Sequence, residues 1–335
     1  MKTWQVTAVG EPQDVMRLVD LPEPTLADGQ VRVGVLAAAA NFPDALMCRG
    51  LYQVRPDLPF TPGLELCGEV LELGPGVGDG TSGLAVGDRV IGSSVIPHGA
   101  FAEQAVVEAG AVLPAPARLT DAQAGGFFIG YQTGWFGLHR RAHLQAGETL
   151  LVHAAAEGVG SAAIQLGKAA GARVIGVVGG EAKAKVARDL GADVVVDRHT
   201  EDFVEVVKRE TGGKGADVIY DPVGGSTYDR STKCIAFEGR ILVIGFAGGT
   251  IQTPPLGHAL VKNYTILGLH WGLYAKVMPQ LITECHADLT RMVDEGLVNP
   301  LVSERIGLAA VSDAVQRLAD GSTIGRVVYD AGVSA

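Results

Sequence analysis

The sequence predicts an α/β fold in two domains, one β-rich and one a doubly wound parallel sheet. Three observations predict it. Residues 1–121 break into short apolar runs punctuated by Gly and Pro, residues 122–270 alternate Val/Ile/Leu runs with helical segments, and residues 271–335 hold too few elements for a third domain. Short runs between turn signals read as antiparallel, barrel-like strands. Continuous apolar runs separated by helices of about ten residues are the sequence form of parallel strands buried on both faces.

In the first part the runs are 4–9, 16–21, 30–37, 64–73, 88–92 and 99–107, with turn signals at Gly74-Pro75-Gly76 and Asp79-Gly80. In the second, strands at 150–154, 173–178, 192–196, 216–220, 240–245 and 264–269 alternate with helices at 161–170, 182–190, 203–210 and 228–236. That makes six strands of dinucleotide-binding type. The remainder, a helix at 278–295, a strand at 301–306, a helix at 309–319 and a strand at 325–329, is expected to return and complete the β-rich domain. The expected domains are therefore 1–121 with 271–335, and 122–270.

Composition excludes several classes. The chain has 335 residues, 47 % of them hydrophobic, which is enough for a real core, and a net charge of −10 with no Lys/Arg run. Neutralising phosphates needs clustered Lys and Arg, so nucleic acid is not expected as a partner. The four cysteines are 48, 67, 234 and 285. Their spacing offers no CxxC and no disulfide framework, which fits a reducing, cytoplasmic setting. No charged head followed by an apolar stretch opens the chain. The longest stretch lacking acids, Lys and Arg, 241–261, contains Pro254 and Pro255, so no membrane helix is expected.

Between the first strand and helix of the second domain lies Leu151-Val152-His153-Ala154-Ala155-Ala156-Glu157-Gly158-Val159-Gly160-Ser161. A strand, a turn of small residues and a helix N-terminus present backbone N–H groups to a pyrophosphate, here those of Gly158 and Val159. Aligned to G-x-G-x-x-G, the three glycine places hold Ala155, Glu157 and Gly160. The second place thus carries a carboxylate, which must point outward or weaken the site. At the end of the second strand, where an acid would bond a ribose 2′-hydroxyl and repel a 2′-phosphate, stands Val178, followed by Gly179 and Gly180. Lys183 and Arg198 lie at the same sheet edge and are expected to clamp a 2′-phosphate, favouring NADPH. Read without a ligand they are ordinary solvated charges, with Glu181 nearby.

The stretches Asn41-Phe42-Pro43-Asp44, Gly50-Leu51-Tyr52-Gln53, Thr61-Pro62-Gly63-Leu64-Glu65, Gly87-Asp88-Arg89-Val90, 154–160, 239–245 and Gly325-Arg326-Val327-Val328 follow one another along nearly the whole chain. Together they resemble the zinc-independent quinone oxidoreductase (ζ-crystallin-like) branch of the medium-chain dehydrogenase/reductase superfamily. The resemblance implies a GroES-like catalytic domain, a Rossmann domain, and a nicotinamide held between them. It places Asn41 near the nicotinamide ribose and substrate, Tyr52 at the active-site mouth, and Thr133 in the helix backing the nicotinamide. Phe246, His270 and Trp271 fall in loops on the carboxamide side, and Arg326 joins the expected cofactor contacts. Arg198 stands where relatives often have Tyr near the adenosine phosphate.

Zinc-dependent relatives would need Cys at 41, Gly-His-Glu at 63–65 and a four-cysteine lobe, so the resemblance implies no metal. Without a Lewis acid, the substrate it implies is a quinone or an activated C=C bond, reduced by hydride addition. The resemblance also implies a homodimer through the Rossmann edge at 264–269. A 2-haloacrylate or acryloyl-CoA-type substrate is the alternative, with Arg55 beside the mouth. A non-catalytic cofactor-binding role, structural or RNA-binding, is the other.

Single residues read two ways. Tyr52 is a proton donor or a substrate platform, with solvent then supplying the proton. Asn41 is an orienting donor or a turn former before Pro43, and Asp44 fixes the local turn or caps a helix. Cys67 reads as a small buried hydrophobe and Cys48 as a buried or a reactive thiol.

Overall fold

The computed structural model describes residues 1–78 and 83–333, so the expected Asp79-Gly80 turn lies outside the described residues. The chain separates into two compact units, residues 1–129 with 300–335, and residues 130–299.

In the first unit the organising element is the strand Gln30–Ala39. Its burial alternates from Gln30 and then becomes continuous at Ala37–Ala39, because one face packs on the core and its far end is covered on both sides. Among the described residues it belongs to a seven-stranded sheet in the order Glu304–Ile306, Val327–Asp330, Gln30–Ala39, Glu65–Leu73, Arg89–Ser93 and Leu113–Pro114, with Gln104–Glu108 also paired to Gln30–Ala39. The pairs are antiparallel apart from Glu304–Ile306 with Val327–Asp330. Val328 pairs with Ala39, so the chain end does complete the β-rich unit. Val31, Val33, Phe60, Leu66 and Phe101 form its core.

The second unit carries a parallel six-stranded sheet among the described residues. In chain order its strands are Thr149–His153, Arg173–Val178, Val194–Asp197, Ala216–Asp221, Ile235–Val243 and Thr265–Gly268. Their spatial order is third, second, first, fourth, fifth, sixth. The order reverses between the first and fourth strands, the place at which doubly wound sheets open a ligand crevice at their carboxyl ends.

Several local features differ from the expectation, three of them in the second unit. The helix expected at 228–236 is Ser226–Ser231, and the following strand already begins at Ile235. A register shift against Ala216–Asp221 accommodates the extra residues, and Glu238 there takes a φ of 56°. The helix Leu256–Lys262 lies in the uncharged stretch whose prolines mask its pattern. The helix Pro279–Asp294 lies in the second unit, where Trp135 Nε1 donates to Asp288 at 2.8 Å, so this unit runs past the expected boundary at 270.

Candidate cofactor-binding and active-site residues

The glycine-rich turn follows directly from the central strand. After His153 the backbone of Ala154 takes a φ of 49°, a left-handed conformation that costs an alanine about 1 kcal/mol. It folds the turn so that Glu157 N donates to Ala154 O at 3.0 Å. The helix Gly158–Ala169 then starts with Glu157 extended at its N-cap and no side-chain cap. Its first N–H groups, including those of Gly158 and Val159, are left to an external acceptor. Gly160 packs the helix onto the turn, since a Cβ there would stand 2.1 Å from Ala154 O.

At the neighbouring strand end, Gly179 lies against the Arg198 guanidinium, 3.0 Å from the place of a Cβ. Gly180 has a φ of 91° and caps the helix Glu181–Asp189. Its N–H donates at 2.9 Å to Asp197, which also accepts from His199 N at 3.0 Å. This acid was not singled out from the sequence, because only the strand order brings the third strand's end beside Gly180. Arg198 is exposed and forms no ion pair among the described residues. Lys183 donates instead to the Glu157 carboxylate. The turn's carboxylate therefore points at the expected phosphate lysine and not into solvent. Burial pushes the Glu157 carboxyl above its ordinary range, opposed by Lys183 and Arg198.

Thr133 is buried in the helix Phe128–Trp135. Trp271 Nε1 donates to Gln132 Oε1 at 3.0 Å, which joins the start of the helix Trp271–Val277 to the residue beside Thr133. Phe246 lies against Gly224, while His270 is exposed at the N-cap of Trp271–Val277. The structure thus brings Trp271 to the helix of Thr133 and places Phe246 on a separate loop.

In the first unit the site residues form a buried polar cluster. Asp44 Oδ2 accepts from Asn41 N at 2.8 Å and Oδ1 from Gly63 N at 3.0 Å, closing the start of the helix Phe42–Cys48. Asn41 Nδ2 donates to Glu65 Oε1 at 2.8 Å and to Ala39 O at 3.2 Å, and Asn41 Oδ1 accepts from Arg326 Nη1 at 2.9 Å. Arg326 Nη2 donates to Glu65, whose other oxygen accepts from Ile129 N at 2.8 Å. Burial pushes the Asp44 carboxyl up to about 7, against backbone donors and Arg326 that hold its charged form. The same burial brings Arg326 down to about 10, with Asp44 opposing.

Two of the expected site residues are held inside this cluster. Asn41 has both amide hydrogens engaged within the unit, with Glu65 and Ala39. Arg326 is only 6 % exposed and holds Asn41 and Glu65. Glu65 was read only as part of a motif, since sequence spacing gives no sign of partners 24 and 261 positions away. Tyr52 is half-buried, packed against the core, and its phenol is pushed up by burial and by Asp44, so it stays protonated. Cys48 and Cys67 are buried, with thiols pushed up to about 12, which marks them as inert hydrophobes.

Residues 27–117 match the alcohol dehydrogenase GroES-like domain, and residues 158–287 match the family described as zinc-binding dehydrogenase. A quinone oxidoreductase-like protein 2 homolog of Nematostella vectensis is 39 % identical over 307 residues, 91 % of this chain and 82 % of that protein. A probable oxidoreductase from Mycobacterium abscessus superposes with a TM-score of 0.88 at 36 % identity, covering 98 % of each chain. The Escherichia coli quinone oxidoreductase, solved in complex with NADPH, superposes with a TM-score of 0.90 at 30 % identity, covering 98 % of this chain and all of that one. With a GroES-like β unit, a Rossmann sheet in the order described and relatives that match along almost its whole length, the chain belongs to the quinone oxidoreductase branch of the medium-chain dehydrogenase/reductase superfamily.

Proposed function

We propose that the protein is an NADPH-dependent, zinc-independent reductase of quinones and activated C=C bonds. The observation that carries the cofactor part of this reading is the pair of basic residues at one edge of the second unit. Lys183 and Arg198 flank Gly179 and Gly180, and no acid ends the second strand to reject a 2′-phosphate. The uncapped helix start at Gly158 and Val159 fits a pyrophosphate, and the close approach at Gly160 is the packing that such a turn needs. The NADPH bound to the Escherichia coli relative supports the same cofactor here.

When bound, reduced nicotinamide supplies a hydride. The protein's own part is to bind, orient and protonate. Thr133, Phe246, His270 and Trp271 are carried as contacts on the nicotinamide side. Tyr52, protonated throughout the neutral range, is carried as the donor of the second proton, with solvent as the alternative.

The donor chemistry of the first unit supports a reaction without zinc. Position 41 is an amide engaged with Glu65 and Arg326, position 64 is Leu, and the two nearby thiols are buried and protonated. Among the described residues no group of three His, Cys, Asp or Glu side chains could hold a metal ion.

The test is NADPH and NADH oxidation followed at 340 nm with 1,4-benzoquinone, 9,10-phenanthrenequinone, an alkyl enone, 2-chloroacrylate and acryloyl-CoA. Turnover of quinone or enone is expected, faster with NADPH and unaffected by chelators. Tyr52→Phe should lower kcat about tenfold or more at constant KM for NADPH if Tyr52 donates the proton. An unchanged kcat assigns that proton to water. Arg55 is exposed and forms no ion pair among the described residues, which fits a solvated loop charge as well as the second reading, an acrylate-type substrate. Turnover restricted to the two acid derivatives would establish it in place of the first.

The dimer is also proposed on the second unit. Thr265–Gly268 is a sheet edge, and Ile251, Leu256, Leu260 and Val261 nearby in sequence are 71–79 % exposed. Sedimentation should give twice the chain mass, and Leu260→Arg, at a side chain 78 % exposed, should yield the monomer. A wild-type monomer at micromolar concentration removes this element.

A further inference from the structure

We propose that Glu157 sets cofactor specificity: its carboxylate holds Lys183 as an internal anion, competes with a 2′-phosphate for that ammonium, and so lowers both NADPH affinity and discrimination against NADH. This inference rests on the cofactor reading above.

Glu157 occupies the second glycine place of the turn, where backbone would approach phosphate. Its Oε1 accepts from Lys183 Nζ, joining the N-cap of Gly158–Ala169 to the first turn of Glu181–Asp189. The two side chains are only 23 % and 18 % exposed, so solvent and salt screen the pair less than the surface pairs around it. Neighbouring acids are engaged elsewhere. Asp197 accepts from the backbone of Gly180 and His199, and Glu181 pairs with Arg188 at 2.8 Å. Glu157 is a carboxylate that Lys183 meets directly.

A 2′-phosphate carries between one and two negative charges and three strong acceptors. It can displace one carboxylate oxygen from Lys183, but the displaced Glu157 then remains a half-buried negative charge close to Lys183 and Arg198. NADH lacks the phosphate and leaves the Glu157–Lys183 pair intact. The penalty therefore falls on NADPH alone, whereas repulsion between Glu157 and the pyrophosphate would fall on both cofactors.

Calorimetric titration with NADPH and NADH separates these cases without any turnover. Glu157→Gln keeps the side-chain shape and removes the charge. It should tighten NADPH binding at least about fivefold and leave NADH within about twofold. In a Lys183→Ala background the same substitution should lose most of its effect on NADPH. Glu157→Ala serves as the second variant, and a single cooperative melting transition confirms that each variant is folded. Unchanged NADPH affinity in both Glu157 variants, or equal tightening of NADPH and NADH, overturns the proposal while leaving the cofactor reading in place. A wild-type protein that binds neither nucleotide overturns both.

Discussion

Arg326→Ala should destabilise the first unit by about 3–5 kcal/mol, the cost of leaving a buried partner charge uncompensated. Arg326 bonds Glu65 and Asn41, and Glu65 is completely buried, so the substitution strands a carboxylate and removes one anchor of the asparagine. It also withdraws the cation that holds Asp44 below where burial alone would put it. A carboxyl whose folded pKa is raised favours the folded state at low pH and loses that contribution as pH rises through the folded value. The loss in Arg326→Ala should therefore be larger at pH 8 than at pH 5. Denaturant unfolding at the two pH values checks both size and sign. A loss below about 1 kcal/mol, or one that grows toward acid, would show that the cluster is not held by charge.

Gly160→Val should cost about 1–3 kcal/mol or more and lower NADPH affinity at least tenfold. The added Cβ would stand 2.1 Å from Ala154 O and 2.9 Å from Ala155 Cα, and both are backbone atoms that cannot rotate away. The helix must retreat from the turn, which displaces the N–H groups of Gly158 and Val159 together. Thermal melting reads the stability and calorimetric titration the affinity. Wild-type values for both would mean that the turn has slack that the structure does not show.

The parallel sheet was legible because strands buried on both faces spell unbroken apolar runs, as Leu150 to Val152 and Val174 to Val178 do. The helix Ser226–Ser231 and the early start of the next strand were not. Both depend on a register shift and on a left-handed Glu238, for which the residue types give no signal. The candidate site was legible in its local parts: the turn, the missing acid after Val178, and the basic residues Lys183 and Arg198, whose part in binding a cofactor is proposed. What a sequence cannot show is which charges meet once strands are ordered. Glu157 finds Lys183 across 26 positions, and Arg326 finds Glu65 across 261. Those two meetings set Glu157 against Lys183 and hold Asn41, Glu65 and Arg326 in one buried cluster.

Direct hydride transfer from reduced nicotinamide to an electron-poor carbon is tested by reducing a cyclic enone with NADPH deuterated at both C4 positions and locating the label by NMR. One deuterium is expected on the β-carbon of the saturated ketone and a solvent proton on the α-carbon. A saturated product with no label at the β-carbon, or labelled there only when the reaction is run in D2O, would contradict it.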